Sequence, residues 1–236
     1  DWIVSAKGDG VFVKTFKEEK EQNVVLALDV SASLEIGKGN NKKIDIAKEI
    51  CGVLAISAAK EGGDIGLMCF SSQKELYLKP NKGQKYAYQL IKKLFELKPT
   101  TLKTNINLGI KHLINTLKKQ SVVILVSDFI DTDYERNLIA LAQKHDLVVI
   151  HLSEARESLF PKLGIIPLFD KETKKTIWVN SFSKKFRLNM NQELTQRKKQ
   201  LESLCTQYKA NYLWIDTQED YILKLVKLFR IRNYSK

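Results

Sequence analysis

The sequence predicts an α/β fold, a mostly parallel central sheet with helices on both faces. Two wholly apolar runs of strand length, residues 24–28 and 122–126, read as strands buried on both sides, the setting of a parallel sheet. Segments of helical periodicity separate and follow these runs, so strands alternate with helices along the chain.

Taken in order, Val11, Val13 and Phe16 mark a first strand after Gly10, and residues 24–28 a second. Beyond a turn rich in glycine and asparagine at 37–41, Ile44, Ala47, Ile50, Cys51 and Leu54 recur at helical spacing. Gly62-Gly63 stops that helix. Residues 65–70 and 75–78 are short strands joined by the polar turn Ser71-Ser72-Gln73-Lys74. A helix over 86–97 ends at Pro99, and another starts near Thr104 with Ile106, Ile110, Leu113, Ile114 and Leu117 on its apolar face. Strand 122–126 leads to a helix over 134–144, which Asp131 and Asp133 are expected to cap, with Glu135 in its first turn. Strand 147–152 follows. Residues 153–179 are looser, with Pro161, Gly164, Pro167 and a hairpin around 171–176. A long helix over about 184–209, a strand at 212–215 and an amphipathic helix from Tyr221 complete the chain; Ile222, Leu225, Val226 and Phe229 form the last helix's expected buried face. No internal repeat or linker breaks the pattern. One domain over 1–236 is expected, with a looser insertion at about 153–182.

The 236 residues are 44% hydrophobic and 28% charged, the balance of an ordinary globular chain able to build a core without disulfides. No apolar run is long enough to span a membrane. Cys51, Cys69 and Cys205 lie in apolar or helical surroundings and read as buried free thiols, which favours a reducing, cytoplasmic setting. Of the 39 basic residues behind the +12 net charge only six are arginine, the residue suited to forked phosphate and base contacts. The lysines are scattered, as at Lys42-Lys43, Lys92-Lys93 and Lys118-Lys119, and read as solvated outer faces rather than a nucleic-acid stripe. Tyr208, Tyr212 and Trp214 read as core packing around the last strand.

The chemistry concentrates at Asp29-Val30-Ser31-Ala32-Ser33, directly after a buried strand. In extended chain, alternate residues point to one side, which would align three oxygen-bearing side chains. A carboxylate and two hydroxyls are hard ligands that suit magnesium, manganese or calcium. Read as a local feature, the same stretch is a polar turn with a serine cap; its place at a strand end is what favours a site, because open α/β sheets bind ligands beyond the carboxyl ends of their strands. The second buried strand also ends in a polar triplet, Ser127-Asp128-Phe129. If these strands are neighbours, Asp29 and Asp128 face one crevice. Between them, the loop Pro99-Thr100-Thr101-Leu102-Lys103-Thr104-Asn105 offers Thr104 to the same place, or only as the cap of the next helix.

This arrangement resembles the metal-ion-dependent adhesion site of von Willebrand factor A domains. The wider chain is similar to the bacterial family known as domain of unknown function 58: Asp1-Trp2, Ser5-Ala6-Lys7, Val13-Lys14-Thr15-Phe16, Glu18-Glu19, Gly37, Ser127-Asp128-Phe129, His145-Asp146, residues 157–164, Asp170 and Glu172-Thr173 carry the likeness. The resemblance implies a Rossmann-like von Willebrand factor A fold. It implies that Ser31, Ser33 and Thr104 touch the ion while Asp29 and Asp128 act mainly through waters. Leu34 stands where the family usually has methionine, a departure without consequence for the ligands. The resemblance also implies an N-terminal piece ahead of Asp1, and a non-enzymatic role in which the ion captures an acidic side chain of a protein partner, with a MoxR-type AAA+ ATPase as associate. Two other classes compete. A magnesium-dependent phosphoesterase could use the same crevice, although Ser31 stands where an aspartyl-phosphate phosphatase would carry its second carboxylate, and His112, His145 and His151 read as structural. A nucleic-acid binder would rest on the basic surface and show steep salt dependence.

Overall fold

The computed structural model describes residues 23–35, 42–154, 164–170, 175–180 and 182–234. The expected strand at Val11–Phe16, the turn at 37–41, the turn of the later hairpin and the family-like segments at 1–19 and 157–163 lie outside them.

The apolar runs form the middle of the sheet. Strands β1 (Asn23–Asp29), β2 (Asp64–Phe70), β3 (Lys74–Asn81), β4 (Val122–Ser127), β5 (Asp146–Ser153) and β8 (Asn211–Asp216) lie in the order β3-β2-β1-β4-β5-β8. All neighbours are parallel except β3, which pairs antiparallel with β2 at one edge. The chain leaves β1 toward β2 on one side and returns to β4 on the other, so the sheet's topological switch point falls between β1 and β4. Strands β6 (Ile165–Asp170) and β7 (Lys175–Asn180) make a separate antiparallel pair, the expected hairpin.

Alternate strand residues feed two cores, as the pleat requires. Leu26, Leu28, Ile124, Val126 and Ile150 face α1 (Lys43–Lys60), α2 (Gln84–Glu96) and α6 (Tyr221–Tyr234). Val25, Ala27, Val123, Leu125 and Val149 face α3 (Ile106–Thr116), α4 (Glu135–Lys144) and α5 (Lys184–Gln207). This is the expected architecture, a mostly parallel sheet with helices on both faces. All three cysteines are free and buried, and burial pushes the Cys51 thiol up to about 12. Among the described residues no helix is long and apolar enough to cross a membrane.

Two local expectations are corrected. Helix α6 is turned so that Tyr221, Leu225, Leu228 and Phe229 meet the sheet, while Ile222 and Val226 are 53% and 44% exposed. Both sets have amphipathic spacing, and Leu225 and Phe229 belong to each, so periodicity did not separate them. Asp131 and Asp133 do not cap α4, whose N-cap position is Tyr134 with no side-chain cap bond. Asp131 instead accepts the Ile106 N–H of α3 at 2.7 Å. The end of β4 lies beside the start of α3, and the unpaired donors there attract a carboxylate from a spatial neighbour.

The loop between α2 and α3 is held by one carboxylate. Glu75, on β3, accepts hydrogen bonds from the Ser71 hydroxyl at 2.6 Å, the Thr100 N–H at 2.9 Å, the Thr100 hydroxyl at 2.7 Å and the Thr101 N–H at 3.2 Å. Partial burial works against its charge, but the hydrogen bonds from Ser71, Thr100 and Thr101 outweigh it and hold the carboxyl at about 2. Helix α3 then approaches the sheet through Gly109, where a Cβ would stand 2.4 Å from the buried Phe70 ring. Gly109→Ala is therefore expected to overpack this contact at a cost of about 1–3 kcal/mol, read as a melting temperature lower by several degrees. Glu75→Gln is expected to lower the melting temperature near neutral pH by about 2–4 °C, the equivalent of about 1 kcal/mol in a chain this long. Because the folded carboxyl sits below its unfolded value of about 4.3, that stabilisation is present above pH ~4.3 and is lost as pH falls toward 2. The gap between wild type and variant should close over that window; a gap independent of pH would contradict the cage.

Candidate metal centre

The register of β1 and β4 pairs Leu28 with Val126, so the next residues, Asp29 and Ser127, come side by side at the switch point. Ser127 donates its hydroxyl to Asp29 Oδ2 at 2.8 Å, and the Ser31 N–H donates to Asp29 Oδ1 at 2.9 Å. Asp29 is wholly buried. Burial pushes its carboxyl above the usual carboxylate range, the charge of Asp128 adds to that, and the hydrogen bonds from Ser31 and Ser127 pull back.

A chain of hydroxyls crosses from loop to loop. Thr104 donates to Ser31 Oγ at 2.9 Å, Ser31 Oγ and Ser33 Oγ lie 3.1 Å apart, and Ser33 donates to Asp128 Oδ1 at 3.2 Å. The three segments named from the sequence thus meet in space. Backbone bonds fix their approach: Val30 N–H to the Phe70 carbonyl at 2.8 Å and Ala32 N–H to the Leu102 carbonyl at 3.0 Å. Thr104 is not the cap of α3; Asn105 is, accepting the Leu108 N–H at 2.8 Å, and the Thr104 hydroxyl donates to Ser31. After Asp128, Phe129 takes the left-handed region (φ 52°), a conformation a bulky residue adopts only under constraint. Its buried ring, packed against Tyr134 and His151 at centroid distances of 5.7 and 5.6 Å, supplies that constraint.

Two further residues belong to the centre. Ser127 was legible as part of a polar strand end but without a role. Lys43, the first residue of α1, was read as one of many solvated lysines and is instead wholly buried. Its ammonium stands 3.1 Å from Asp128 Oδ2. Nothing in the residue spacing separates it from its half-buried neighbour Lys42; only its place at the first turn of a helix packed on the strand ends does.

The donor set fits a hard divalent cation. Around magnesium, with metal–oxygen distances of about 2.0–2.1 Å in an octahedron, adjacent ligand oxygens stand about 2.9 Å apart. The Thr104–Ser31 and Ser31–Ser33 oxygen separations of 2.9 and 3.1 Å have that spacing. Among the described residues no cluster of three or more His, Cys, Asp and Glu side chains occurs, so these hydroxyls and two carboxylates stand apart from the nitrogen- and sulfur-rich sites that softer metals select. His151 lies near Asp128, but its Nδ1 is paired with the Tyr212 hydroxyl at 2.8 Å, and burial, partly offset by Asp128, lowers its pKa to about 4. A cavity of about 250 Å³ opens beside Asp128, walled by Ile130, His151, Glu154, Arg197, Lys198 and Trp214. Trp214 thus lines a cavity, with the Lys198 ammonium 3.5 Å above its ring, rather than filling the core as expected.

The family model described as "Protein of unknown function DUF58" matches residues 1–200. Uncharacterized proteins of Mycobacterium tuberculosis and Mycobacterium bovis are 21% identical over 176 residues, covering 73% of this chain and 56% of theirs. This chain spans about half the length of the curated relatives it matches. Among solved structures, the conserved hypothetical protein BatB from Bacteroides thetaiotaomicron is similar with a TM-score of 0.58 at 14% identity, over 91% of this chain and 98% of that one. An aerotolerance-related membrane protein from Bacteroides fragilis gives 0.51 at 14% identity, over 83% and 92% of the two chains. Likeness at such identity is likeness of fold. With its mostly parallel α/β sheet, the chain belongs to the DUF58 family.

Proposed function

We propose that this chain is a non-enzymatic interaction module whose divalent cation captures a carboxylate from a protein partner. Ser31, Ser33 and Thr104 would hold the ion directly, and Asp29 and Asp128 would act mainly through water. Magnesium is the expected ion, with manganese or calcium able to take its place. The observation that carries this reading is the run of hydroxyls from two loops, spaced 2.9–3.1 Å apart beside two buried carboxylates.

Hydroxyl ligands donate little charge, so an ion held by them stays electrophilic, and magnesium usually keeps waters that an incoming oxygen can replace. A partner's Asp or Glu would supply that oxygen, and the cavity beside Asp128 leaves room for the side chain that carries it. A MoxR-type AAA+ ATPase would be the associated machine, and the buried free thiols are compatible with a cytoplasmic setting. The hydrolytic reading is less favoured because, among the described residues of the centre, both Asp29 oxygens already accept hydrogen bonds and the His151 Nδ1 is paired with Tyr212 rather than with a nucleophile.

Isothermal titration with Mg²⁺ or Mn²⁺ tests the ion. One site per chain is expected, and Ser33→Ala or Thr104→Ala should each weaken it by about tenfold, about 1.4 kcal/mol. Variants that bind the ion as wild type does would contradict the assignment. Binding of the purified MoxR-type ATPase is expected to disappear in EDTA; equal affinity with and without chelator would reject metal mediation.

A further inference from the structure

Lys43 is among the largest completely buried side chains of the described residues, and its ammonium lies against the candidate metal centre rather than in solvent. Taking an ammonium out of water is costly and is sustained only by a well-placed counter-charge. Asp128 provides it at 3.1 Å, and both side chains are essentially inaccessible, at 0% and 1% exposure. The two oxygens of Asp128 are divided: Oδ2 faces Lys43, while Oδ1 accepts from Ser33 and from the Ile130 N–H. Only the Ser33 side of that carboxylate faces the hydroxyls.

The charge balance of the centre follows. With both aspartates ionised, two negative charges and the ammonium leave one net negative charge. A divalent cation reverses the sign and leaves one net positive charge. One further carboxylate, from outside, brings the whole centre to neutrality. Without Lys43, the ion alone would already neutralise the two aspartates, and attraction of a partner carboxylate would fall to the Arg197 and Lys198 side chains at the cavity.

Resting on the metal reading above, we infer that Lys43 is the built-in counter-cation of this centre. It keeps Asp128 compensated when no ion is present, and it weakens ion binding in the absence of a partner carboxylate. The loaded centre therefore remains a net cation, selective for an acidic side chain, and the ion and the carboxylate bind cooperatively. Lys43 acts through Asp128 and the local field, as a positioning and charge-setting residue.

The test is Mn²⁺ titration of the chain by calorimetry at fixed pH and ionic strength, with melting curves in EDTA and in Mn²⁺, for wild type, Lys43→Gln and Lys43→Arg. Lys43→Gln should bind Mn²⁺ at least tenfold more tightly than wild type and melt lower in EDTA, and Mn²⁺ should close that gap. Lys43→Arg, which keeps the charge, should bind within about threefold of wild type. If Lys43→Gln is unfolded in EDTA but folds on addition of Mn²⁺, the inference is supported, because the ion then supplies the missing charge. A Lys43→Gln protein that stays unfolded in both, or that folds and binds Mn²⁺ no more tightly than wild type, overturns it and leaves the metal reading intact. Failure of wild type itself to bind Mn²⁺ would instead remove the metal reading on which this rests.

Discussion

Two carboxylates buried at the ends of adjacent parallel strands repel each other and lose their hydration, and the local structure is arranged to offset both costs. The pairing of Leu28 with Val126 forces Asp29 and Ser127 together, and Asp128 follows one residue later. Ser127 and the Ser31 N–H solvate Asp29, while Lys43, Ser33 and the Ile130 N–H solvate Asp128. Each aspartate is thus held by short, specific contacts in place of water. A second positive charge beside them would be favoured, and the hydroxyls of Ser31, Ser33 and Thr104 offer it oxygens without adding negative charge.

Precision at such a centre has to come from its supports. Its three loops are tied to the sheet and to one another by backbone bonds from Val30 and Ala32, by the Glu75 cage around Thr100 and Thr101, and by Asp131 at the start of α3. The close contact at Gly109 seats α3 against Phe70, the last residue of β2, which also accepts the Val30 N–H. The same elements that pack the second core therefore bring Thr104 within reach of Ser31. Hydroxyls held this way need little reorganisation to receive an ion.

Much of this was legible in the residues. Strands buried on both faces leave continuous apolar runs, so β1 and β4 stood out, and the alternation of strands with helices fixed the class of fold. Asp29, Ser31 and Ser33 share a short motif, and Thr104 and Asp128 sit at the loop and strand end where an open sheet places its ligands. What stayed hidden depends on three-dimensional neighbours. Lys43 looks like any surface lysine until α1 is docked over the strand ends. Glu75 lies 25 residues before Thr100 and has no local pattern linking the two. Asp131 looks like a cap for the helix that follows it, yet accepts the Ile106 N–H at the start of another helix. Helix α6 carries two overlapping apolar stripes, and only the packing of Tyr221 and Leu228 chooses between them.

The central claim is that hydroxyls from two loops and two buried carboxylates enclose a single divalent cation. Anomalous diffraction from crystals of this chain grown with Mn²⁺ addresses it most directly. A single strong peak is expected within about 2.0–2.3 Å of the Ser31, Ser33 and Thr104 hydroxyl oxygens, with Asp29 and Asp128 one water further out. A Mn²⁺ peak elsewhere, with these hydroxyls keeping their hydrogen bonds to one another, would contradict it.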